Sequence, residues 1–291
     1  MNSDLFRHAV DGKLAADMSA YAKWKFTGAD RERYLNGQIT NDVRLLRPGH
    51  TLRAAVCNAK GRMEGIVHVY PGEDALYVTA PSALRESLTA RLGKFIIADD
   101  VEMTDITDDW QLFFVPHGSV AKEQHLSLAP DSLTYQINRF GVSGTDVWLP
   151  ANSKSPKPEF APESIWDALR IIHKIPRWGR DMDFNTLPPE MHLELSAISY
   201  NKGCYIGQEV ISRLKSVGHV NKLLCLLKAA NGKVPALPAN CESDGKIIGQ
   251  ATSATTHPQS GELLVLATLQ RQFSAAGTKV SIGDTVFTVS V

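Results

Sequence analysis

"NKGCYIGQEVISR", residues 201–213, is the stretch on which the reading of the fold turns. Two glycines, a cysteine and a tyrosine sit directly before a short helical pattern. Gly203 and Gly207 would let the backbone take a tight or positive-φ path and approach another group closely. If Ile206 or Gly207 opens a helix running through Arg213, Cys204 lies beside its N-terminus. The helix dipole, with Lys202 nearby, would then favour the thiolate and make Cys204 the reactive cysteine. The alternative makes Cys204 a small buried hydrophobe and the glycines packing residues only. Glu209 and Arg213 are spaced i, i+4 and share one helix face.

Upstream of this stretch the chain alternates strand and helix signals. Ala29 to Leu35 reads as a short helix, with Asp30 and Glu32 early and Gly37 as its stop. Residues 50–80, "HTLRAAVCNAKGRMEGIVHVYPGEDALYVTA", are β-branched runs split by turn signals at 59–61 and 71–74, a meander of antiparallel strands. "PSALRESLTARLGKF" predicts a helix capped by Ser82, with Leu84, Leu88 and Leu92 as its stripe and Gly93 at its end. Residues 101–116 return to strand. The Pro- and Ser-rich segment 151–164 reads as a surface loop, and Ser164 with Asp167 resembles a capping box before the helix "IWDALRII". Past about residue 218, short strands separated by Gly, Asn, Asp and Pro predict a small all-β domain, barrel-like. The fold class is therefore α+β.

The bulk properties exclude several function classes. The 291 residues carry 31 basic and 31 acidic side chains, so no global field steers the chain to nucleic acid or an anionic membrane. No apolar run approaches the ~18 residues that span a bilayer, and no secretory leader is visible at the start. Cys57, Cys204, Cys225 and Cys241 are irregularly spaced with no CxxC pair, which suits a reducing cytoplasm and argues against a disulfide framework or a zinc site. No phosphate loop, GxGxxG, HExxH or GxSxG occurs. The nine histidines have no metal-ligand spacing. The acidic run from Asp99 to Asp109 reads as a solvated strand edge rather than a cation site.

"KGCYIGQEVISR" resembles the KGC-[aromatic]-x-GQE-xxx-R signature of the YgfZ-type family, within the superfamily of the glycine-cleavage T-protein, a tetrahydrofolate-dependent aminomethyltransferase. "FTGADRERYLNGQITNDV" is similar to the family's N-terminal segment. "IPRWGRDMDFNTLPPE" resembles its G-x-D and P-x-E stretch through Gly179, Asp181, Pro189 and Glu190. The resemblance implies a three-domain cloverleaf around a central, folate-sized hole. Residues 1–50 and 135–215 would form a discontinuous α+β domain carrying the motif, 51–134 a second α+β domain, and 216–291 the β-barrel. It also implies tetrahydrofolate or a one-carbon derivative as ligand. Asn41, Asp42, Arg170, Glu190, Tyr205, Gln208, Glu209 and Arg213 would be folate contacts. Cys204, Lys202 and Glu64 would be the catalytic candidates, with no metal.

Two departures direct the functional expectation. The aminomethyltransferases resemble G-x-x-D-D in the first meander, where "GRMEGIV" offers only Glu64 and then Gly65. They carry R-L-E-A-G in the later helix, where "RIIHK" puts Ile172 in the glutamate's place after Arg170. Losing a pterin-facing carboxylate removes a paired acceptor for a polar ring. The expected role is thus a folate-binding protein that assists synthesis or repair of iron–sulfur enzymes and indirectly supports tRNA modification. Its partners would be iron–sulfur client or assembly proteins. One alternative is a true folate-dependent aminomethyl- or methyltransferase using Glu64 as acid–base. The other is a non-catalytic docking scaffold for iron–sulfur clients. On that reading Lys202, Arg213, Lys215 and Lys222 make the 202–222 face basic and open to a weak RNA contact.

Overall fold

The computed structural model describes residues 3–118 and 132–290. Two antiparallel sheets and a closed barrel carry the chain. The first sheet orders its five strands Leu52–Cys57, Met63–Pro71, Leu76–Ala80, Ala22–Thr27 and Glu102–Asp105. The second orders four strands, Ala16–Asp17, Trp110–Pro116, Val142–Pro150 and Leu133–Arg139. In the barrel, Lys222–Ala229, Leu263–Gln270, Lys246–Thr256, Ala239–Ser243, Lys279–Ile282 and Thr285–Ser290 close on themselves, the last strand pairing with the first. The α+β class and the C-terminal barrel agree with the sequence pattern.

Helices Arg31–Gln38 and Arg85–Gly93 cover one face of the first sheet around fully buried Trp24, Phe26, Val67, Val69 and Leu88. Helices Ser3–Val10 and Glu163–Ile172 cover the second around Leu112, Phe114 and Trp148. Strand alternation then builds a third core. In Lys222–Ala229, Cys225 and Leu227 point into the barrel, while Leu224 and Leu226 point outward. The outward pair packs with Ala55 and Ile66 of the first sheet and with Met182, Met191, Tyr205 and Ile211. The segment 182–211 is thus the apolar joint between sheet and barrel.

The sheets do not follow the segmentation at residues 50 and 134. Ala22–Thr27 pairs with Leu76–Ala80 and Glu102–Asp105, and Trp110–Pro116 pairs with Val142–Pro150. Long-range pairing of this kind leaves no mark on local composition. Neither predicted serine cap forms: the residue before helix Arg85–Gly93 is Leu84, and Pro162 precedes Glu163–Ile172, both without a side-chain cap bond. The acidic run does supply an exposed edge strand, Glu102–Asp105, and no cluster able to hold a metal ion occurs among the described residues. No helix there is long and apolar enough to cross a membrane.

Candidate functional site

The 201–213 stretch docks on the C-terminal end of helix Arg31–Gln38. Lys202 is buried, and its ammonium donates to the carbonyls of Asn36 at 2.6 Å, Ile39 at 2.8 Å and Asn41 at 2.6 Å. A cation against the last carbonyls of a helix is favourable both by hydrogen bonding and by the dipole. Burial lowers the Lys202 pKa to about 8, with Asp42 opposing. Thr40, fully buried, completes the seam. Its hydroxyl donates to Ala197 O at 2.6 Å and accepts from Ala55 N at 2.9 Å, and its carbonyl accepts from Ser199 N at 3.0 Å.

Of the two glycines, only Gly207 is demanded by geometry. Its φ is +90°, and a Cβ there would lie 2.5 Å from Asn58 O. It caps helix Gln208–Ser216. Gly203 has open space around the Cβ position, so the close approach expected there is absent. Cys204 is exposed and lies ahead of a helix that begins only at Gln208. The Lys202 ammonium is aimed at the three carbonyls, and no hydrogen bond joins it to Cys204. Tyr205 is buried with its ring 5.2 Å from the Lys202 ammonium, and its hydroxyl has no hydrogen-bond partner among the described residues. Glu209 and Arg213 are exposed and form no ion pair with each other.

Gln208 opens its helix, half-buried, and three further candidates near this seam are tied into the structure. Asn41 donates to Arg53 O at 2.8 Å. Asp42, buried, accepts from Nε and one Nη of Arg44, at 2.9 and 2.8 Å, which with the Arg44 amide holds its carboxyl below the usual range. Glu64 accepts from Arg91 Nε at 2.5 Å, and Arg91 also donates to Gln38 Oε1 and Cys57 O. A Cβ on Gly65 would stand 2.9 Å from a Leu88 methyl. A larger residue at that position would have to push the Leu88 and Leu84 methyls aside. Arg91, Gln38 and Thr40 were not read from sequence; only the apolar-stripe position of Arg91's neighbours gave a hint.

Arg170 and Glu190 belong to a second locus. Arg170 is buried and donates to Asp167 at 2.6 Å, Asp181 at 2.7 Å and Ser253 at 2.7 Å, locking its helix to barrel strand Lys246–Thr256. Asp181 faces a polar cavity of about 540 Å³ between the 179–191 segment and the barrel, lined also by Arg180, Asp183, Met191, Lys222 and Gln250. Glu190 is buried beside it. One oxygen accepts from Leu187 N at 2.9 Å and lies 3.9 Å from the Lys222 ammonium, and desolvation pushes its carboxyl above the usual value. The structure thus separates the candidates into a seam set and a cavity set.

The cysteines give a direct expectation. Burial pushes the thiols of Cys57 and Cys241 up to about 12 and Cys225 up to about 11, while Cys204 alone is exposed. Alkylation of the native protein near neutral pH is expected to modify one thiol, at Cys204, with the other three reacting only on unfolding; mass spectrometry locates the adduct. Early labelling at Cys57, Cys225 or Cys241 would contradict the burial.

Among known proteins, residues 6–129 match the family described as GCVT N-terminal domain. A putative chloroplastic transferase of Arabidopsis thaliana is 26% identical, covering 98% of this chain and 72% of that protein. The tRNA-modifying protein YgfZ of Aliivibrio fischeri is 26% identical over 76% of this chain and 73% of its own length. The glycine cleavage aminomethyltransferase T of Bartonella henselae superposes with a TM-score of 0.84 over 99% of this chain and 87% of its own, at 16% identity, a shared fold. The resemblance carried by "KGCYIGQE" agrees with these likenesses: residues 6–129 match the GCVT N-terminal domain, and a YgfZ protein is similar over 76% of the chain.

Proposed function

From this kinship we propose that the protein binds tetrahydrofolate or a one-carbon derivative. We also propose that it assists synthesis or repair of iron–sulfur enzymes in the cytoplasm, and through them tRNA modification. The observation that carries the folate part is the cavity beside Glu190. Asp181, Asp183, Gln250 and the Lys222 ammonium, which Glu190 approaches from behind at 3.9 Å, offer acceptors and donors in one wall, the arrangement a polar heteroaromatic ring needs. Glu64 bears on the reaction. Arg91 holds it, and Arg91 is itself fixed by Gln38 and the Cys57 carbonyl. Glu64 would have to leave this pair to reach a substrate.

A second reading, a folate-dependent one-carbon transferase, is favoured by the T-protein fold and by the relative named a putative transferase. It needs Glu64 released from Arg91. The scaffold reading loses part of its basic face, since Lys202 points inward and Lys222 faces Glu190. Calorimetric titration with tetrahydrofolate and folinic acid is expected to show saturable binding that Glu190→Ala weakens. A glycine-cleavage assay with a lipoyl partner protein is expected to show no turnover. Absence of binding sinks the folate reading, and sustained methylenetetrahydrofolate production moves the protein to the transferase branch.

A further inference from the structure

Between the two sheets lies a layer of polar side chains. Cross-strand register sets Lys23 opposite Thr79, Thr79 opposite His68, and His68 opposite Arg53 on adjacent strands of the first sheet. Directly opposed residues in an antiparallel sheet share a face. The second sheet contributes Arg139 and Asp146. Nearly every group of this layer is satisfied. Lys23 donates to the carbonyls of Ser19, Tyr21 and Thr107. Arg139 holds Asp146 through two nitrogens at 2.8 Å, and Tyr70 bonds to Thr79, Asp146 and Arg139.

Arg53 and His68 are the exceptions. Neither side chain has a hydrogen bond or ion pair among the described residues, and the Arg53 Nε is a buried donor without an acceptor. Burial lowers the Arg53 pKa to about 10, with Arg139 adding repulsion. His68 is held well below its ordinary value by burial and by both arginines, so it is a neutral imidazole. Both side chains are half-buried and keep partial contact with solvent. Asp146 neutralises Arg139 and three carbonyls hold Lys23, so Arg53 is the cation of this layer whose side chain has no partner among the described residues. An unpaired buried charge is costly, and the missing element is an anion.

We propose that Arg53, with His68 beside it, is a carboxylate-binding site. A guanidinium presents two parallel N–H groups that match a carboxylate, and the imidazole N–H supplies a further donor. Two sources carry that chemistry: the glutamyl end of a folate, or a free small carboxylic acid. The site stands on its own observations, whether or not the cavity beside Glu190 takes a pterin.

The test is calorimetric titration of the full chain with N-(4-aminobenzoyl)-L-glutamate and, separately, with succinate, on wild type and Arg53→Met. Binding by the first compound that weakens roughly tenfold or more in the variant supports the site and assigns it to a folate tail. Arg53-dependent binding of succinate alone supports a free acid. Binding of neither, or binding indifferent to Arg53, overturns the proposal. A second readout needs no ligand. Arg53→Met removes an unpaired desolvated charge while keeping the side-chain length, so the variant should melt above wild type. Melting below wild type would mean that Arg53 has a structural partner, and the site would fall.

Discussion

Replacing Asp181 by alanine is expected to cost about 3–5 kcal/mol of stability, the range for breaking a buried charge pair. Both Asp181 oxygens are saturated. One accepts from Arg170 at 2.7 Å and from the Arg177 amide at 2.9 Å, the other from Thr252 at 2.6 Å and Ser253 at 2.7 Å. The alanine would leave the Arg170 guanidinium, whose side chain is 4% exposed, with one hydroxyl, one carbonyl and the half-buried Asp167 carboxylate. It would also free the barrel strand from its charged anchor. Arg170→Met should lose less when introduced on the Asp181→Ala background than on wild type, since both break one network. Urea denaturation of the four proteins measures this, with the slope unchanged if only stability moves. A loss below about 1 kcal/mol for Asp181→Ala would mean that the network is not what joins helix Glu163–Ile172 to the barrel.

That network explains what the sequence could and could not reveal. The G-x-D stretch marked Asp181, and the later helix marked Arg170. Their meeting with Ser253 spans 83 positions from Arg170 and comes from barrel docking. Local signals were readable where local physics decides. Turn residues at 59–61 and 71–74 delimit the meander strands, and Leu88 and Leu92 bury as one stripe. The sheet membership of Ala22–Thr27 was not readable, because a strand's partners are chosen by the whole core. The serine caps failed for a related reason: a 3-10 turn over Ser82–Leu84 begins one helical run early, and Ser164 already lies inside the helix that Pro162 precedes.

The site divides in the same way. Gly207 was legible as a special backbone position, since only glycine takes φ of +90° against the Asn58 carbonyl without strain. The direction of the Lys202 side chain was not, because a lysine beside a cysteine reads equally as a thiolate partner or a tether. Arg53 was overlooked altogether. Its only trace is a charge within "LRAAVC", a strand whose other five residues are buried. A single polar residue in such a strand is a signal for a buried polar layer, and the missing acceptor is visible only with the second sheet in place.

Lys202→Met is expected to cost about 3 kcal/mol, an estimate from the 1.5–3 kcal/mol that a hydrogen bond to a charged group contributes, reduced by the penalty of burying the ammonium. Methionine keeps the apolar stem against Tyr205 but leaves the carbonyls of Asn36, Ile39 and Asn41 without their shared donor. Those carbonyls end helix Arg31–Gln38, and the same turn carries Thr40, through which segment 197–199 is bonded to strand Leu52–Cys57. Loss of the ammonium should therefore loosen the helix end and the motif together. Amide exchange should accelerate at Ile39, Thr40 and Ile206, whose N–H groups bond within this seam, while the barrel interior stays protected. Lys202→Arg should not restore stability, because a planar guanidinium cannot aim three donors into a socket shaped for an ammonium. A catalytic lysine predicts the opposite pattern: a variant as stable as wild type, with unchanged exchange and lost activity. That result would return Lys202 to the reaction and leave the seam to be held by Thr40 alone.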